Sequence, residues 1–498
     1  MTNLVVCCDG TWNTPEDMDH GLPCPTNVVK LYHALIQDGS QSAYYHPGVG
    51  TGKGWWDRVA GGGTGAGLDK NIMSGYQWLA YNYIDGANIF LFGFSRGAYT
   101  VRSLGGLISK CGLLDIRSPD LKPAQVWQRI QEVFDVYRDG GQTGFGNPNN
   151  YPMHDNVTIH FIGVWDTVGA LGIPDDLALL GLFDDPEKYR FHDTTLGKSV
   201  KHARHAVALD EKRASFAPTL WTRQSSETFK QLWFAGVHSD VGGGYLEAGL
   251  SDGTLEWMMT EAKACGLKIR RGALEQLDPD PLGVVHDSCC GVFKVLKTQP
   301  RSVPQIGDGA SELHPSALER RGNPPLAQGP YWTTQVLQPG ESRTIDVFAV
   351  RHWNETGLFL EKDVTYEMTA SGEWIDDKDA FTPGGESSTG FHLGDIARYA
   401  SSMLGALETP YEKVLGSRAD FWWTRRDEDA PWFALMGFIA NSELDESSKL
   451  PVGEQFMIGE KKTVRPGSSG YLYCFANDAW HTYGNNRGAV ALTVKRPR

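Results

Sequence analysis

The sequence predicts two domains of different class: a doubly wound, mostly parallel α/β sheet over residues 1–340 and an all-β sandwich over residues 341–498. Two observations predict the α/β class, namely near-continuous apolar runs and the helical segments that lie between them. Strands covered by helices on both faces read as unbroken apolar runs, and their alternation with helices is typical of a parallel sheet. In the last part of the chain, short strand-like segments separated by turn residues are typical of a β-sandwich.

Apolar runs of the first domain end at small or polar residues. They are NLVVCC before Asp9, SAYYHPG, NIFLFGF before Ser95, VTIHFIGVW before Asp166 and FKQLWFAGV before His238. The segments with helical periodicity between them are NVVKLYHALI, LDKNIMSGYQWLAYNYI, AYTVRSLGGLISKCG and KPAQVWQRIQEVFDVYR. A further amphipathic helix is expected over residues 252–270, starting at an Asp-Gly cap and stopping near Gly266.

Residues 271–340 are rich in Pro, Gly, Asp and Ser, which predicts an irregular extension of the α/β domain. The candidate strands beyond it are TIDVFAV, DVTYEMTASGEW, WFALMGFI, EQFMIG, GYLYCFAND and GAVALTVK. A polar and helical stretch near 388–416 is expected to be an insertion in the sandwich.

Charge and cysteine content exclude several classes of protein. The net charge of −14 argues against a nucleic-acid partner, because the footprint for phosphate backbones is basic. The eight cysteines lack C-x-x-C spacing, which argues against a zinc knuckle or a disulfide framework. The start of the chain does not resemble a secretory signal, and no apolar window reaches the roughly 18 residues of a membrane span. We expect a cytoplasmic location in the producing cell, with any export by a route that reads no N-terminal signal.

The pentapeptide Gly93-Phe94-Ser95-Arg96-Gly97 lies where a predicted strand gives way to a predicted helix. A nucleophilic serine of this kind occupies a strained turn, and the flanking glycines prevent collisions with the neighbouring strand and helix. The alternative is a structural turn serine. The strand-turn-helix context favours the catalytic interpretation.

A serine nucleophile needs a base, and the base needs a carboxylate that fixes its tautomer. Asp166 and His238 follow the next apolar strands, in the chain order Ser, Asp, His that α/β-hydrolases show. Because parallel strands end at one sheet edge, the sequence predicts a triad of Ser95, Asp166 and His238. Asp240 is the rival acid, although its place in the histidine loop suits loop anchoring better.

The oxyanion of the reaction would need N–H donors. The N–H of Arg96 lies at a predicted helix N-terminus, and a second donor is expected from Gly10 or Thr11 in the turn after the first strand. An alternative for this turn is that the carboxylate of Asp9 caps local N–H groups. No cofactor is expected for catalysis.

The motifs CCDGTWN, GFSRGAYTVRSL, GVWDTVGALG, HAVALDEKRASFAPTLW and GVHSDVGGGY occur in this order. Together they resemble the α/β-hydrolase catalytic domain of type VI secretion lipase effectors of the first class, over roughly residues 1–335. The resemblance implies a Ser-Asp-His esterase that cleaves phospholipids, with a membrane substrate and with secretion-apparatus and immunity proteins as partners. Competing hypotheses are an esterase for a non-lipid ester, such as an acylated glycan or polymer, and a non-enzymatic glycan-binding protein with a degenerate hydrolase core.

The segment FANDAWHTYGNNRGAVALTVK is similar to the closing strands and loop of small calcium-dependent galactose-binding lectins. The resemblance implies a calcium site, and a glycan as ligand. Its calcium ligands map to Asp478, Thr482, Asn485 and Asn486. Carboxylate, carbonyl and amide oxygens are suitable ligands for Ca²⁺. The alternative is a turn held by its own side chains.

Overall fold

The computed structural model describes residues 2–10, 18–19, 21–48, 65–140, 146–168, 196–197, 199–222, 226–290, 301–304, 312–328, 331, 335–376, 379–385, 425–441, 444, 451 and 453–498. The chain divides into two compact units. The first comprises residues 1–297 and 311–331, and the second comprises residues 298–310 and 332–498. The insertion expected near 388–416 lies outside the described residues.

In the described part of the first unit, six parallel strands form a sheet with the order β4-β1-β5-β6-β7-β8. Their bounds are β1 Asn3–Cys8, β4 Gln41–His46, β5 Asn88–Phe94, β6 Ile159–Trp165, β7 Val200–Ala208 and β8 Phe229–Phe234. A small antiparallel pair follows β1, formed by β2 Met18–Asp19 and β3 Leu22–Pro23. The predicted α/β class is confirmed.

Helices cover both faces of this sheet. They are α1 Asn27–Ala34, α2 Gly65–Asn82, α3 Arg96–Cys111, α4 Pro123–Arg138, α5 His238–Gly242, α6 Gly249–Ala264 and α7 Pro315–Gly322. Leu4 and Val6 of β1 pack with α2, α3 and α4, whereas Val5 and Cys7 pack with α1 and α6. Because both faces are buried, the strands need apolar residues at successive positions rather than at alternate ones. None of the described helices combines the length and the apolar character that crossing a membrane requires.

Three details of the first unit differ from the expectations, the first being that β7 is not among the predicted apolar runs. Helix α6 begins at Gly249, three residues before the expected cap. Asp252 lies in its first turn, where the carboxylate accepts from Lys30 Nζ at 2.7 Å and from the Asp278 N–H. The carboxylate therefore ties the helix to its neighbours and does not start it. In addition, the stretch expected to be irregular contains the helix α7.

The second unit is a sandwich of two sheets, as predicted. One sheet has the order β10-β18-β12-β13, with β16 also paired to β12, and the other has the order β15-β14-β17-β11-β9. The strands are β9 Gln335–Val336, β10 Ser342–Phe348, β11 Asn354–Leu360, β12 Tyr366–Asp376, β13 Asp379–Phe381, β14 Leu435–Ala440, β15 Glu454–Met457, β16 Lys461–Val464, β17 Gly470–Ala476 and β18 Asn486–Lys495. Inward-facing residues of both sheets, such as Met368, Val490, Leu435 and Leu472, form one core.

Candidate active site

Ser95 occupies a strained turn between β5 and α3. Its backbone has φ 56° and ψ −122°, a conformation that residues other than glycine rarely adopt. The strain is held from both sides, because the Ser95 N–H donates to the Trp165 carbonyl at 3.1 Å and its own carbonyl accepts from the Tyr99 N–H at 3.2 Å. The side chain lies at the carboxyl end of the sheet, at the start of a 16-residue helix.

The two glycines that flank Ser95 are required by close packing of the backbone. A Cβ on Gly93 would lie 2.4 Å from the Gly97 carbonyl oxygen, and a Cβ on Gly97 would lie 2.1 Å from the Cys8 carbonyl oxygen. Neither backbone neighbour is a flexible side chain that could move aside. The G-x-S-x-G pattern therefore occurs here because α3 lies so close to β1 at this turn that only glycine fits on either side of the serine.

Asp166 follows β6 and is completely buried. Its N–H donates to the Ala206 carbonyl at 2.7 Å, and its Oδ1 accepts from the Ala208 N–H at 2.9 Å. Its Oδ2 lies 2.6 Å from Nδ1 of His238. Because one oxygen is held by the backbone of β7, the other is fixed in direction toward the imidazole.

His238 is the first residue of α5 and is 4% exposed. Since a carboxylate can only accept, the bond to Asp166 places a proton on Nδ1 and leaves Nε2 as the acceptor. The ring packs against Phe94, the residue before Ser95, with centroids 4.6 Å apart, and against Phe216 at 5.0 Å. Burial lowers the pKa of His238 below 6.5, and the opposing effect of Asp166 offsets this only in part. The imidazole is therefore neutral at physiological pH, as a general base must be.

The rival carboxylate, Asp240, has other partners. It accepts from the Val237 N–H at 3.0 Å, from the His286 N–H at 3.1 Å and from Nδ1 of His286 at 2.6 Å. These contacts fix the loop that carries His238, whereas the imidazole of His238 is bonded to Asp166.

The predicted oxyanion donors differ in their placement. The N–H of Arg96 lies in the first turn of α3, where main-chain N–H groups lack partners within the helix. The N–H of Gly10 donates to Asp9 Oδ1 at 2.7 Å, so it would have to leave this bond before it could serve an oxyanion. This bond to a local N–H is what the capping alternative expects. The other Asp9 oxygen accepts from the hydroxyls of Thr26 and Tyr45. The remaining candidate, Thr11, lies outside the described residues.

The four predicted calcium ligands lie near the start of β18. Asp478 is 2% exposed, and burial raises the pKa of its carboxyl to about 6. Asn486 donates to Asp478 Oδ2 at 2.9 Å, while its own buried Oδ1 has no hydrogen-bond partner among the residues that the structure describes. Asn485 donates to Asp376 at 2.7 Å, and the Thr482 hydroxyl donates to the Ala479 carbonyl.

A cation at this position would rely on amide and hydroxyl oxygens as well as carboxylates. Within the described ranges, no three His, Cys, Asp or Glu side chains converge as a metal site would require. Asp376, which is not among the predicted ligands, is brought to the cluster because β12 pairs with β18 in a register that aligns it with Asn486. Both carboxylate oxygens of Asp478 accept hydrogen bonds, from the Ala479 N–H at 2.7 Å and from Asn486 at 2.9 Å. This carboxylate and the buried amide oxygen of Asn486 are oxygen ligands of the kind that a hard cation such as Ca²⁺ takes.

Residues 2–261, more than half of the 498 residues, match a family model described as the T6SS phospholipase effector Tle1-like catalytic domain. The chain belongs to this family. Membership of the Tle1-like family confirms the resemblance predicted for the catalytic domain and supports a hydrolase. The lectin-like character of the second unit stays a prediction.

Among curated proteins, the Tle1-like chain is similar to the "Uncharacterized protein YEL023C" of Saccharomyces cerevisiae, with 29% identity over 245 residues. The match covers 44% of this chain and 33% of that protein, so the chain spans about a third of the length of this relative.

Three solved structures are also similar. An uncharacterized protein from Pseudomonas aeruginosa shows 19% identity and a TM-score of 0.32, covering 55% of this chain and 47% of that one. The Tle1 effector bound to the VgrG spike of the type 6 secretion system shows 18% identity and a TM-score of 0.28, with coverages of 50% and 52%. The EclA N-terminal domain, described as a PllA-like lectin, shows 17% identity and a TM-score of 0.18, with coverages of 31% and 94%.

The Tle1-like domain also holds a buried ion pair that sequence reasoning left without a role. Glu211 accepts from Arg213 at 2.8 Å, from the Ser288 hydroxyl at 2.9 Å and from the His238 N–H at 3.2 Å. The Arg213 guanidinium lies 3.5 Å from the ring centroid of Phe216, which packs on the imidazole. The pair therefore positions the start of α5 and one wall of the histidine site. Its only signal in the sequence is its place within the motif HAVALDEKRASFAPTLW.

Proposed function

We propose that the first domain is a serine hydrolase that cleaves carboxylic esters of phospholipids with Ser95, His238 and Asp166 as its triad. The observation that carries this proposal is the 2.6 Å bond between Asp166 Oδ2 and His238 Nδ1, beside a serine held in a strained strand-to-helix turn. Family membership supports the phospholipid as the ester.

In the proposed reaction, Nε2 of His238 takes the hydroxyl proton of Ser95 as Oγ bonds to the ester carbonyl carbon. Asp166 stabilises the imidazolium that forms, and the Arg96 N–H donates to the oxyanion. Collapse of the tetrahedral intermediate breaks the bond to the leaving alcohol, which receives the proton from Nε2. Water then attacks the acyl-serine with His238 again as the base, releasing the fatty acid and restoring the hydroxyl of Ser95.

The family description supports an effector that is made in the cytoplasm and exported by a type VI secretion system. A component of the secretion apparatus is then the expected delivery partner, and an immunity protein would protect the producing cell. An antibacterial role against membrane lipids follows from this proposal. The alternative, an esterase for an acylated glycan or polymer, would use the same triad on a different ester.

The experiment combines covalent labelling with a substrate panel. We expect a fluorophosphonate to add one phosphonyl group to the folded protein, and peptide mass spectrometry to locate it on Ser95. Purified protein should hydrolyse phospholipid vesicles faster than triglyceride emulsions or acylated glycans. Heat-unfolded protein serves as the control for labelling. Absence of label on the folded protein would contradict the triad, and preference for the acylated glycan would contradict the lipid substrate.

A second proposal concerns the loop and strand that carry Asp478, Thr482, Asn485 and Asn486. We propose that these residues bind Ca²⁺. The proposal is supported by the buried oxygen of Asn486, which no described residue hydrogen-bonds, and by the raised pKa of Asp478. Because Asp478 must be ionised to hold the cation, binding is expected to weaken as the pH falls through about 6. A glycan would be the ligand of the cation-loaded sandwich if the resemblance to galactose-binding lectins extends to function.

Calcium at about 100 times its dissociation constant should stabilise the second unit by about 2.7 kcal/mol. For a unit of this size, that corresponds to a rise of roughly 5–10 °C in its melting temperature. Differential scanning calorimetry with CaCl₂ and with EDTA measures the shift. Asp478→Asn should remove it, whereas Asp363→Asn, which changes an exposed carboxylate at a turn, should retain it. Equal melting temperatures with CaCl₂ and EDTA in the unaltered protein would refute the site.

A further inference from the structure

A small cavity lies along helix α3, beyond Ser95. On the helix side it is lined by Tyr99, Arg102, Ser103 and Gly106. Tyr99, Ser103 and Gly106 are three or four residues apart, with Arg102 next to Ser103, so the four positions lie along one side of the helix. The face begins one turn after the proposed nucleophile, because the Tyr99 N–H donates to the Ser95 carbonyl.

The opposite wall of the cavity is tied to the loop that follows Asp166. Thr219 and Trp221 line this wall, and the Thr219 N–H donates to the Thr167 carbonyl at 2.8 Å. Leu196 and Val200 add apolar surface. The cavity thus has polar groups along α3 and an apolar side, next to elements that position the triad.

Arg102 is the charged residue of this lining. Its Nη1 donates to the Thr219 carbonyl, and its guanidinium carbon lies 4.8 Å from the ring centroid of Trp221. Burial lowers its pKa to about 9, which leaves it protonated at neutral pH. Among the described residues no carboxylate forms an ion pair with it, whereas Arg204 and Arg213 of the same unit each pair with a glutamate at 2.7–2.8 Å.

One carbonyl and one aromatic ring compensate only poorly for the loss of hydration of the Arg102 guanidinium, which has no carboxylate partner among the described residues. The guanidinium is planar and has further N–H groups besides the one that donates to Thr219, and pairs of such groups bind phosphate oxygens well. Arg102 lies seven positions after Ser95, which is about 10 Å along a helix axis. A phosphate that is a few bonds from an ester carbonyl can therefore reach Arg102 while the ester approaches Ser95.

We propose that this cavity binds the phosphodiester headgroup of the lipid whose acyl ester is presented to Ser95. The proposal rests on the serine-hydrolase function above and adds the group that selects a phospholipid over a neutral ester lipid. Arg102 supplies the positive charge, and the hydroxyls that line the cavity supply further donors. A purely structural Arg102 would instead only join the Thr219 carbonyl to α3.

The kinetic test compares phosphatidylglycerol with diacylglycerol of identical acyl chains in the same mixed micelles. For Arg102→Gln we expect the ratio of the two kcat/KM values to fall about 10- to 100-fold, as the loss of a charged hydrogen-bond donor predicts. Arg102→Lys should recover part of the ratio because it keeps the charge. A structural role would lower both rates together and leave the ratio unchanged, and that result would overturn the proposal.

A second variant guards against misfolding of Arg102→Gln. Leu196→Glu places a carboxylate in the cavity lining and leaves Arg102 in place. It should lower the same ratio, because the added charge pairs with Arg102 and repels the phosphodiester. An unchanged ratio in this variant, with its circular dichroism spectrum preserved, would also overturn the proposal.

A binding measurement separates this proposal from the catalytic one. Ser95→Ala protein, with and without Arg102→Gln, is titrated calorimetrically with inorganic phosphate and with dihexanoyl phosphatidylglycerol. Weaker lipid binding by about tenfold or more in the double variant supports the headgroup site, and a parallel loss for inorganic phosphate shows that the phosphate alone suffices. Equal affinities in both proteins would overturn the site. Absence of hydrolysis by the unaltered protein would refute the proposed function. The binding measurement would still show whether the cavity holds a phospholipid headgroup, because it does not depend on hydrolysis.

Discussion

Replacing Ser95 with Ala is expected to lower kcat for phospholipid hydrolysis by at least roughly 10⁴-fold, because the attacking oxygen is removed. The binding surface should survive, so the affinity for a short-chain phospholipid should change little. The backbone conformation at this turn is held by bonds to Trp165 and Tyr99 that do not involve the side chain. We therefore expect the melting temperature of the variant to stay within a few degrees of the unaltered protein.

The measurement is initial-rate release of fatty acid, with circular dichroism and calorimetry on the same preparation. Ser109→Ala is the matched control, because Ser109 lies on the same helix and its hydroxyl contacts Ser199 near the other end of α3. That variant should retain activity within about twofold. Full activity of Ser95→Ala would eliminate the proposed nucleophile, and equal loss in both variants would point to damage to the helix instead.

The strands that carry the site could be predicted because their sequence pattern is local. The strands β5, β6 and β8 are apolar runs followed by Ser95, by Asp166 and, a few residues further on, by His238. Parallel strands end at one sheet edge, so chain order and strand ends suffice to bring the three residues near each other. The loops after β6 and β8 then only have to be of the right length for Asp166 and His238 to form their hydrogen bond.

Strand β7 was missed because its buried polar residues have partners far away in the sequence. Arg204 pairs with Glu261 at 2.7 Å, and His205 Nε2 accepts from the Thr167 N–H at 3.2 Å. His202 and His205 both lie in this strand, beside Arg204. The sequence pattern of a strand does not show that a buried charge such as Arg204 will be paired with a carboxylate on a helix, here Glu261 of α6.

The supporting groups of the two candidate sites have the same limitation. Glu211 acquires its role only when Arg213, Ser288 and the His238 N–H surround it. Asp376 joins the proposed calcium cluster through the register of β12 against β18. Acidic residues are common, so neither Glu211 nor Asp376 stands out in the sequence. Only the tertiary packing brings each of them to the groups that it contacts.

Replacing Asp166 with Asn is expected to lower kcat/KM by roughly 10⁴-fold while the protein stays folded. The amide keeps the size of the side chain, but it can donate to Nδ1 of His238 and so favour the tautomer whose Nε2 carries the proton. That tautomer cannot accept the proton of Ser95. The altered group is completely buried, so water cannot replace the lost carboxylate at the imidazole.

The pH profile of this variant distinguishes loss of the acid from a general loss of structure. In the unaltered protein, kcat/KM should rise with pH through the pKa of His238, which burial places below 6.5, and stay level at neutral pH. Asp166 raises that pKa, so its removal should move the rising limb to lower pH while the plateau falls. Asp240→Asn is the matched control, because it removes a carboxylate bonded to His286 rather than to His238. It should lower the melting temperature far more than it lowers the plateau, and a larger loss of activity in Asp240→Asn than in Asp166→Asn would reverse the assignment of the acid.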